Sequence, residues 1–289
     1  MLWLIFALGS AFFAAAASII QKKALIKEHA MEFSAVLALI NAVISLFLLP
    51  FVDFNISTMN LLWVYLASWL GTVAFLHTAR AIRHMQISLA SPMLNFGPAF
   101  SAILAAFILG EKLVLYQWLG IILLVIGAYV LEIDHKFSDL IEPFRRIKSS
   151  KYIHFIFFAL LLYGFSSIID RYVVTHGVSP ISYIFFAHIF IAINFFVLLN
   201  VMYDGVKGII HGLSKMGIPI LLVSLFTLTY RFFQIKAVSM TFLALVVSIK
   251  RTSTILATLI GGELFHEEGL ILKLVACAIM VVGAVLVAI

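Results

Sequence analysis

The chain alternates between long apolar runs and short polar segments, and this pattern predicts ten membrane-spanning helices. Each run has the roughly 20 residues that a helix needs to cross the hydrocarbon core of a bilayer. The predicted spans are residues 2–25, 31–51, 61–82, 87–109, 113–131, 153–173, 180–201, 216–235, 238–260 and 270–289. Most of these runs are apolar on every side, as helices in lipid must be. The predicted fold class is an all-α integral membrane protein.

Composition supports this prediction, since 64% of the residues are hydrophobic and only 11% are charged. The charged residues cluster between the runs, whereas a soluble surface would distribute them along the chain. The first run lacks a small-residue cleavage site and is expected to remain as a helix. We therefore expect a multi-pass protein of the plasma membrane or of an inner membrane, in contact with the lipid bilayer.

The net charge of +6 does not indicate a nucleic-acid partner. Most Lys and Arg residues lie in short loops beside the spans, where they set orientation and contact lipid headgroups. Their distribution favours a cytoplasmic location for the longest loop, with both termini outside. The single cysteine, Cys277, excludes an intrachain disulfide and a thiolate cluster. We expect neither a metal nor a cofactor.

The polar segment 132–151 divides the chain near its middle. It is predicted to be a linker between a first half, residues 1–131, and a second half, residues 152–289. Each half contains five of the predicted spans. If the halves are duplicates, the odd number of helices makes the second copy enter the membrane from the opposite side. Such inverted repeats are typical of alternating-access transporters.

Internal similarity supports the duplication. Residues 18–22 match residues 167–171 at an offset of 149, in the first helix of each half. A second offset, of 156 residues, covers the last three helices of each half without a gap. It aligns Ala81 with Ala237, Glu111 with Glu267, Gly127 with Gly283 and Ala128 with Ala284. The two offsets together predict two related five-helix repeats.

Three short motifs resemble a known family. Leu109-Gly110-Glu111-Lys112-Leu113 closes the fourth span, Gln117-Trp118-Leu119-Gly120 opens the fifth, and Gly127-Ala128 follows. With the five-plus-five organisation, these motifs resemble the drug/metabolite transporter superfamily in its EamA-like branch. The resemblance implies a ten-helix bundle around a central cavity that moves small metabolites, amino-acid-like molecules or drugs. It also implies a structural role for the glutamate that follows the fourth helix of each half.

Ionisable residues at membrane depth are the strongest indication of a site. Lys250 and Arg251 fall near the middle of the ninth span, and Arg231 lies in the eighth. A charge at the centre of a span costs at least ~2.5 kcal/mol on insertion scales, so these cations need a partner. Few acids lie in or beside the spans, among them Asp170 and Glu263, each near the end of a span. An anionic substrate is one candidate partner, and a structural ion pair with Asp170 is the alternative.

The fourth span supplies a second part of the predicted site. Pro92, Gly97 and Pro98 surround Asn95, which aligns with Arg251 at the offset of 156. Proline inside a helix frees backbone carbonyls, and freed carbonyls are tolerated at this depth only where they face protein or water. This helix is therefore expected to line the cavity, with a simple packing kink as the alternative.

Further candidates follow from position. Thr254 lies one turn beyond Lys250, so its hydroxyl is expected to share that helix face. His77, Tyr163, Tyr230 and Gln234 are polar residues within spans that could line the cavity or simply bond a neighbouring helix. Asp170 is a candidate for coupling, although its neighbour Arg171 suggests an interfacial ion pair. The motifs of metal-dependent and serine hydrolases are absent, so we do not expect an enzyme.

These observations predict a transporter of a small polar metabolite, anionic or amino-acid-like, working by alternating access around Lys250, Arg251 and Asn95. The Lys-Arg step also resembles that of plastid phosphate translocators, but a lysine that those proteins carry in the fourth helix is Leu94 here. A carboxylate is therefore as good a candidate as phosphate. The alternatives are a flippase for a phosphate-bearing lipid and an exporter of drug-like organic compounds. The protein is expected to act as a monomer or homodimer.

Overall fold

The computed structural model describes residues 2–25, 30–84, 93–131, 151–202, 206–256 and 270–289. These residues are almost entirely helical and contain no strand. In chain order the helices are α1 Leu2–Leu25, α2 Ala30–Ser45, α3 Thr58–His84, α4 Gly97–Leu104, α5 Leu115–Leu131, α6 Lys151–Thr175, α7 Pro180–Met202, α8 Val206–Met240, α9 Leu243–Lys250 and α10 Leu270–Ala288. Helix α8 is kinked at Gly217, where the backbone is not helical. A 3-10 turn, Leu46–Phe51, extends α2, and a π-helical turn, Ala105–Leu109, extends α4.

Six segments of the described chain are long and apolar enough to cross a membrane. They are Leu2–Gln21, Met31–Phe51, Thr58–Thr78, Lys151–Thr175, Pro180–Met202 and Gly217–Met240. Large apolar side chains cover the outside of the bundle, and Phe47 and Phe107 are 80% and 85% exposed. Such a surface suits lipid rather than water. The all-α prediction is confirmed, and the protein is a multi-pass membrane protein.

Two predicted boundaries are wrong. Helix α8 runs on to Met240, so α9 begins at Leu243 and not at residue 238. Consequently Arg231 lies nine residues from the end of its helix, deeper than the predicted four or five. The apolar run across this junction has no glycine or proline that would mark the break. Parts of the predicted spans 87–109 and 238–260, and the linker up to residue 150, lie outside the described residues.

A carboxylate from the first half fixes the start of α9. Glu111, in the loop after α4, accepts hydrogen bonds from the backbone N–H groups of Leu243 (2.6 Å) and Ala244 (3.2 Å). These first N–H groups have no partner inside their own helix, and a negative charge is favourable at a helix N-terminus. Arg171 donates to the carbonyl of Val238 on the other side of the junction. Burial raises the pKa of Glu111, and the two N–H groups and Arg171 partly offset that rise.

The helical conformation is interrupted just before α4, at the turn residues Asn95 and Phe96. Pro98 has no N–H, so the carbonyl of Leu94, four residues earlier, loses its intrahelical donor. Arg251 Nη2 donates to this carbonyl at 3.1 Å. The freed carbonyl that the proline pattern predicts is therefore present, and a side chain from the second half bonds to it.

The break after α9 falls at the corresponding place in the second half. The turn residues are Arg251 and Thr252, which align with Asn95 and Phe96 at the offset of 156. Residues 253–256 are helical again. Both interrupted helices thus break at residues that are 156 positions apart, and α4 packs directly against α9.

The remaining helices pack in pairs that cross between the halves. Helix α1 packs against α8, α3 against α6, α2 against α7, and α5 against α10. Helix α2 also packs against α8, and α3 against α7. Contacts between elements of different halves therefore dominate the bundle, and the cavity described below opens among them.

Glycines bring α5 and α10 unusually close. A Cβ atom on Gly120 would lie 2.7 Å from the carbonyl oxygen of Gly283, and one on Gly283 would lie 2.8 Å from that of Gly120. A Cβ on Gly127 would lie 2.9 Å from the carbonyl oxygen of Ala276. Small residues let membrane helices approach backbone to backbone in this way.

Candidate functional site

A cavity of about 430 Å3 lies between α2, α3, α4, α6, α7, α8 and α9. Six of the nine predicted binding residues line it, together with the coupling candidate Asp170. The six are Tyr163, Tyr230, Arg231, Gln234, Lys250 and Arg251. They come from α6, α8 and α9, so the structure gathers side chains that are up to 88 positions apart in the sequence. We call this side of the cavity the cationic wall.

Lys250 has neutral partners on the cationic wall. Its Nζ donates to Gln234 Oε1 at 2.8 Å and lies 4.4 Å from the centre of the Tyr230 ring. Arg231 Nη1 lies 3.5 Å from the same Gln234 oxygen. Two cations therefore share one carboxamide oxygen. Within the described part of the chain, no carboxylate forms an ion pair with Lys250.

Asp170 is buried and pairs with Arg231. Its Oδ2 accepts a hydrogen bond from Arg231 Nη2 at 3.3 Å, and its Oδ1 accepts one from the Tyr183 hydroxyl. The suggested interfacial pair with Arg171 is wrong, because neighbouring residues on a helix point in different directions. Arg171 instead bonds the carbonyl of Val238. The alternative that Asp170 satisfies one of the buried cations is therefore correct for Arg231.

Arg251 joins the cationic wall to the break before α4. Its Nη1 donates to Asn95 Oδ1 at 3.2 Å, and Asn95 Nδ2 donates to the carbonyl of Ala128 at 2.9 Å. A Cβ on Gly97 would lie 2.7 Å from Arg251 Nη2, so glycine leaves space for the guanidinium. Asn95 itself lies behind the wall and reaches the cavity only through Arg251.

The two remaining candidates do not line the cavity. His77 Nδ1 bonds the carbonyl of Val73 in its own helix at 2.8 Å, and its ring packs against Phe155 and Phe158. Thr254 is buried elsewhere. Its predicted position assumed a continuous helix, but the turn after Lys250 rotates the following residues.

A second part of the cavity lining comes from α2, α3 and α7, with Ser166 of α6, and was not predicted. Its polar members are Ser34, Asn41, Ser68, Thr72, Ser166 and His188. We call this side the polar wall. Most members are single polar residues in apolar runs, and such residues usually satisfy their hydrogen bonds within the bundle. Tyr183, which bonds Asp170, was also missed, and its one signal was a hydroxyl within an apolar helix.

Comparison with known families agrees with the predicted resemblance. Residues 1–133 match the EamA-like transporter family, which is consistent with the drug/metabolite transporter superfamily. The family consists of membrane transporters of small molecules, and the apolar helices of this chain agree with that match. Members of this family are generally not enzymes.

Comparison with solved structures supports the fold. The crystal structure of one protein is similar over 99% of this chain and 98% of its own, with a TM-score of 0.73 and 13% sequence identity. In all, 29 chains of solved structures match. No curated protein sequence matches the chain.

Proposed function

We propose that the protein carries a small anionic metabolite across a plasma or inner membrane by alternating access, as a monomer or homodimer. The observation that carries this proposal is the environment of Lys250, a half-buried ammonium in a cavity with a carboxamide and an aromatic ring as its partners. A charge within a membrane protein is costly unless it is compensated. An anion that binds and leaves would compensate it.

The geometry suits a carboxylate or a similar small anion. Lys250 and Arg231 converge on Gln234 Oε1, and a ligand oxygen could replace this shared acceptor. A guanidinium binds carboxylates in a bidentate manner, and the nearby ammonium adds a second charge. Tyr230 and Tyr163 line the same region and complete the proposed site.

Arg251 and Asn95 have a second role in the proposal. They connect the two helix breaks, and Arg251 also faces the cavity. Substrate bound beside Lys250 would therefore act directly on the contact between α4 and α9. The interrupted helices are the elements whose movement we expect to open the cavity to either side.

The packing supports an inverted repeat of residues 1–131 and 152–289 joined by 132–151. The repeat would relate α1 to α6, α2 to α7 and α3 to α8. Exchanging related helices turns the α1–α8 pair into the α6–α3 pair, and the α2–α8 pair into the α7–α3 pair. All four pairs are present. The exchange also relates the two helix breaks and the two close contacts between α5 and α10.

Asp170 is the proposed coupling residue because its carboxylate contacts a cation of the site. Its Oδ2 lies 3.3 Å from Arg231 Nη2. A substrate anion would compete with Asp170 for this guanidinium, so binding and the state of Asp170 are linked. Coupling could occur by protonation of Asp170 or by exchange of one substrate anion for another. Transport measurements with and without a pH gradient distinguish these two mechanisms.

Thermal stability of the purified protein tests the proposal, because a ligand raises the apparent melting temperature by mass action. We expect small carboxylates to stabilise the wild type and Lys151→Gln, a matched substitution at the exposed start of α6. Lys250→Gln should lose this stabilisation. Equal stabilisation of both variants, or stabilisation by cations alone, would refute an anion site at Lys250.

A further inference from the structure

Three hydroxyl groups of the polar wall, those of Ser68, Thr72 and Ser166, can only accept hydrogen bonds from a ligand. Ser68 Oγ donates to the carbonyl of Tyr65 at 2.7 Å and accepts one hydrogen bond from Asn194 Nδ2 at 3.4 Å, and Thr72 Oγ1 donates to the carbonyl of Ser68 at 2.7 Å. Ser166 Oγ donates to the carbonyl of Ala67 at 3.0 Å. A hydroxyl has a single proton. With that proton bonded to the backbone, only the oxygen lone pairs remain for a ligand.

His188 adds an acceptor to the same wall. Its Nδ1 lies 2.8 Å from the carbonyl oxygen of Ile184. A carbonyl can only accept, so Nδ1 must carry the proton. In the neutral ring the other nitrogen, Nε2, is then an acceptor.

Asn41 is the member of the wall that most clearly lacks a donor. The residue is 6% exposed and lines the cavity. Its Oδ1 is buried and has no hydrogen-bond partner in the described part of the chain. Leaving a buried carboxamide oxygen unsatisfied is unfavourable. A ligand that donates a hydrogen bond would satisfy it.

The charges of the cavity favour an uncharged donor over an ammonium group. Among the described lining residues, Lys250, Arg231 and Arg251 are cations, and Asp170 is the carboxylate. Both oxygens of Asp170 already accept hydrogen bonds, from Arg231 and from Tyr183. An ammonium group would therefore meet like charges without a carboxylate to pair with.

We propose that the polar wall, centred on Asn41, is a second subsite that accepts hydrogen bonds from substrate hydroxyl groups. The substrate is then a hydroxylated carboxylate, with its carboxylate at Lys250 and Arg231 and its hydroxyls at Asn41, Thr72 and Ser68. This inference rests on the proposed anion site. A cavity of about 430 Å3 has room for such a molecule and is larger than a bare inorganic anion requires.

Four six-carbon carboxylates test the proposal by their dissociation constants with the purified protein. Gluconate carries hydroxyls, hexanoate carries none, and 2-aminohexanoate and 6-aminohexanoate carry an ammonium near to or far from the carboxylate. We expect gluconate to bind at least about tenfold more tightly than the other three. Asn41→Leu, nearly equal in size, should reduce this advantage to about threefold or less while leaving hexanoate binding unchanged.

Three variants serve as controls. The melting temperature of Asn41→Leu without ligand shows whether this variant folds. If it does not fold, Thr72→Val, which removes a second acceptor of the polar wall, should reduce the preference for gluconate in its place. Asn200→Leu, on an exposed position of α7 outside the cavity lining, should keep the full preference for gluconate. Lys250→Gln should weaken all four ligands together.

Each other result would overturn the inference in a distinguishable way. Equal binding of gluconate and hexanoate would refute the hydroxyl subsite but leave the anion site standing. Tighter binding of either amino compound than of gluconate would show that the polar wall binds an ammonium group and not hydroxyl groups. Failure of all four to bind the wild type would refute the anion site and the subsite together.

Discussion

Arg251 Nη1 donates a hydrogen bond of 3.2 Å to Oδ1 of Asn95, the residue that aligns with it at the offset of 156. Two equivalent positions of a duplicated chain can touch only close to the axis that relates the copies. The contact therefore indicates where such an axis would pass, between α4 and α9. It also joins the two helix breaks, and one guanidinium contacts both Asn95 and the carbonyl that Pro98 leaves unpaired.

The first prediction concerns this contact. Arg251→Lys keeps the charge but cannot bond Asn95 and the Leu94 carbonyl in the same geometry. We expect it to lower the free energy of unfolding by about 1–3 kcal/mol, because one buried acceptor loses its donor. Thermal unfolding in detergent measures the loss. Arg80→Lys near the end of α3 is the matched control, and a loss equal to that of the control would show that the contact contributes nothing.

The second prediction concerns the cap of α9. Glu111→Ala removes the acceptor for the N–H groups of Leu243 and Ala244. We expect a loss of about 0.5–2 kcal/mol, the range measured for helix N-caps. Glu32→Ala, in the first turn of α2, removes a carboxylate that makes no such contact in the described structure. If both variants melt at the same temperature, Glu111 does not fix the start of α9.

The third prediction concerns the contact of α5 with α10. Gly120→Ala places a Cβ 2.7 Å from the carbonyl oxygen of Gly283, and backbone atoms cannot move aside easily. We expect a destabilisation of about 1–3 kcal/mol, as overpacking produces. Gly71→Ala is the control, since its Cβ would lie 3.8 Å from Ser166 Oγ, an ordinary contact. Similar melting temperatures for the two variants would show that α5 and α10 are not packed this closely.

The fourth prediction concerns Asp170. Asp170→Asn removes the charge that compensates Arg231, and breaking a buried pair in this way costs about 3–5 kcal/mol. The unliganded variant should therefore melt at a lower temperature, while a bound carboxylate should raise its melting temperature by more than in the wild type. Tyr183→Phe, which leaves the pair with Arg231 intact, should show the smaller change of the two. An unchanged response to carboxylates would place Arg231 outside the substrate site.

The sequence was sufficient for the helical membrane fold and for the cationic wall. Long apolar runs specify spans directly, and Lys250, Arg231 and Arg251 stand out because charge is rare at membrane depth. The same reasoning found Gln234, Tyr230 and Tyr163 as polar residues on the same helices. These features depend on local sequence, which is why they could be predicted.

Features that depend on contacts between helices could not be predicted in the same way. The start of α9 is set by Glu111, which lies 132 residues earlier in the chain. Thr254 was misplaced because the turn after Lys250 changes the helix face. The polar wall was missed since Asn41, Ser68 and His188 are isolated in apolar runs, and only the packed bundle brings them into the same cavity as the cations.

Transport by the purified protein tests the central claim most directly. Uptake of a labelled carboxylate such as gluconate into proteoliposomes would be compared for the wild type, Lys250→Gln and Lys151→Gln. We predict saturable uptake by the wild type and Lys151→Gln, and at least a tenfold lower rate with Lys250→Gln. Equal uptake by all three proteins, or uptake of cations in place of anions, would contradict an anion site at Lys250.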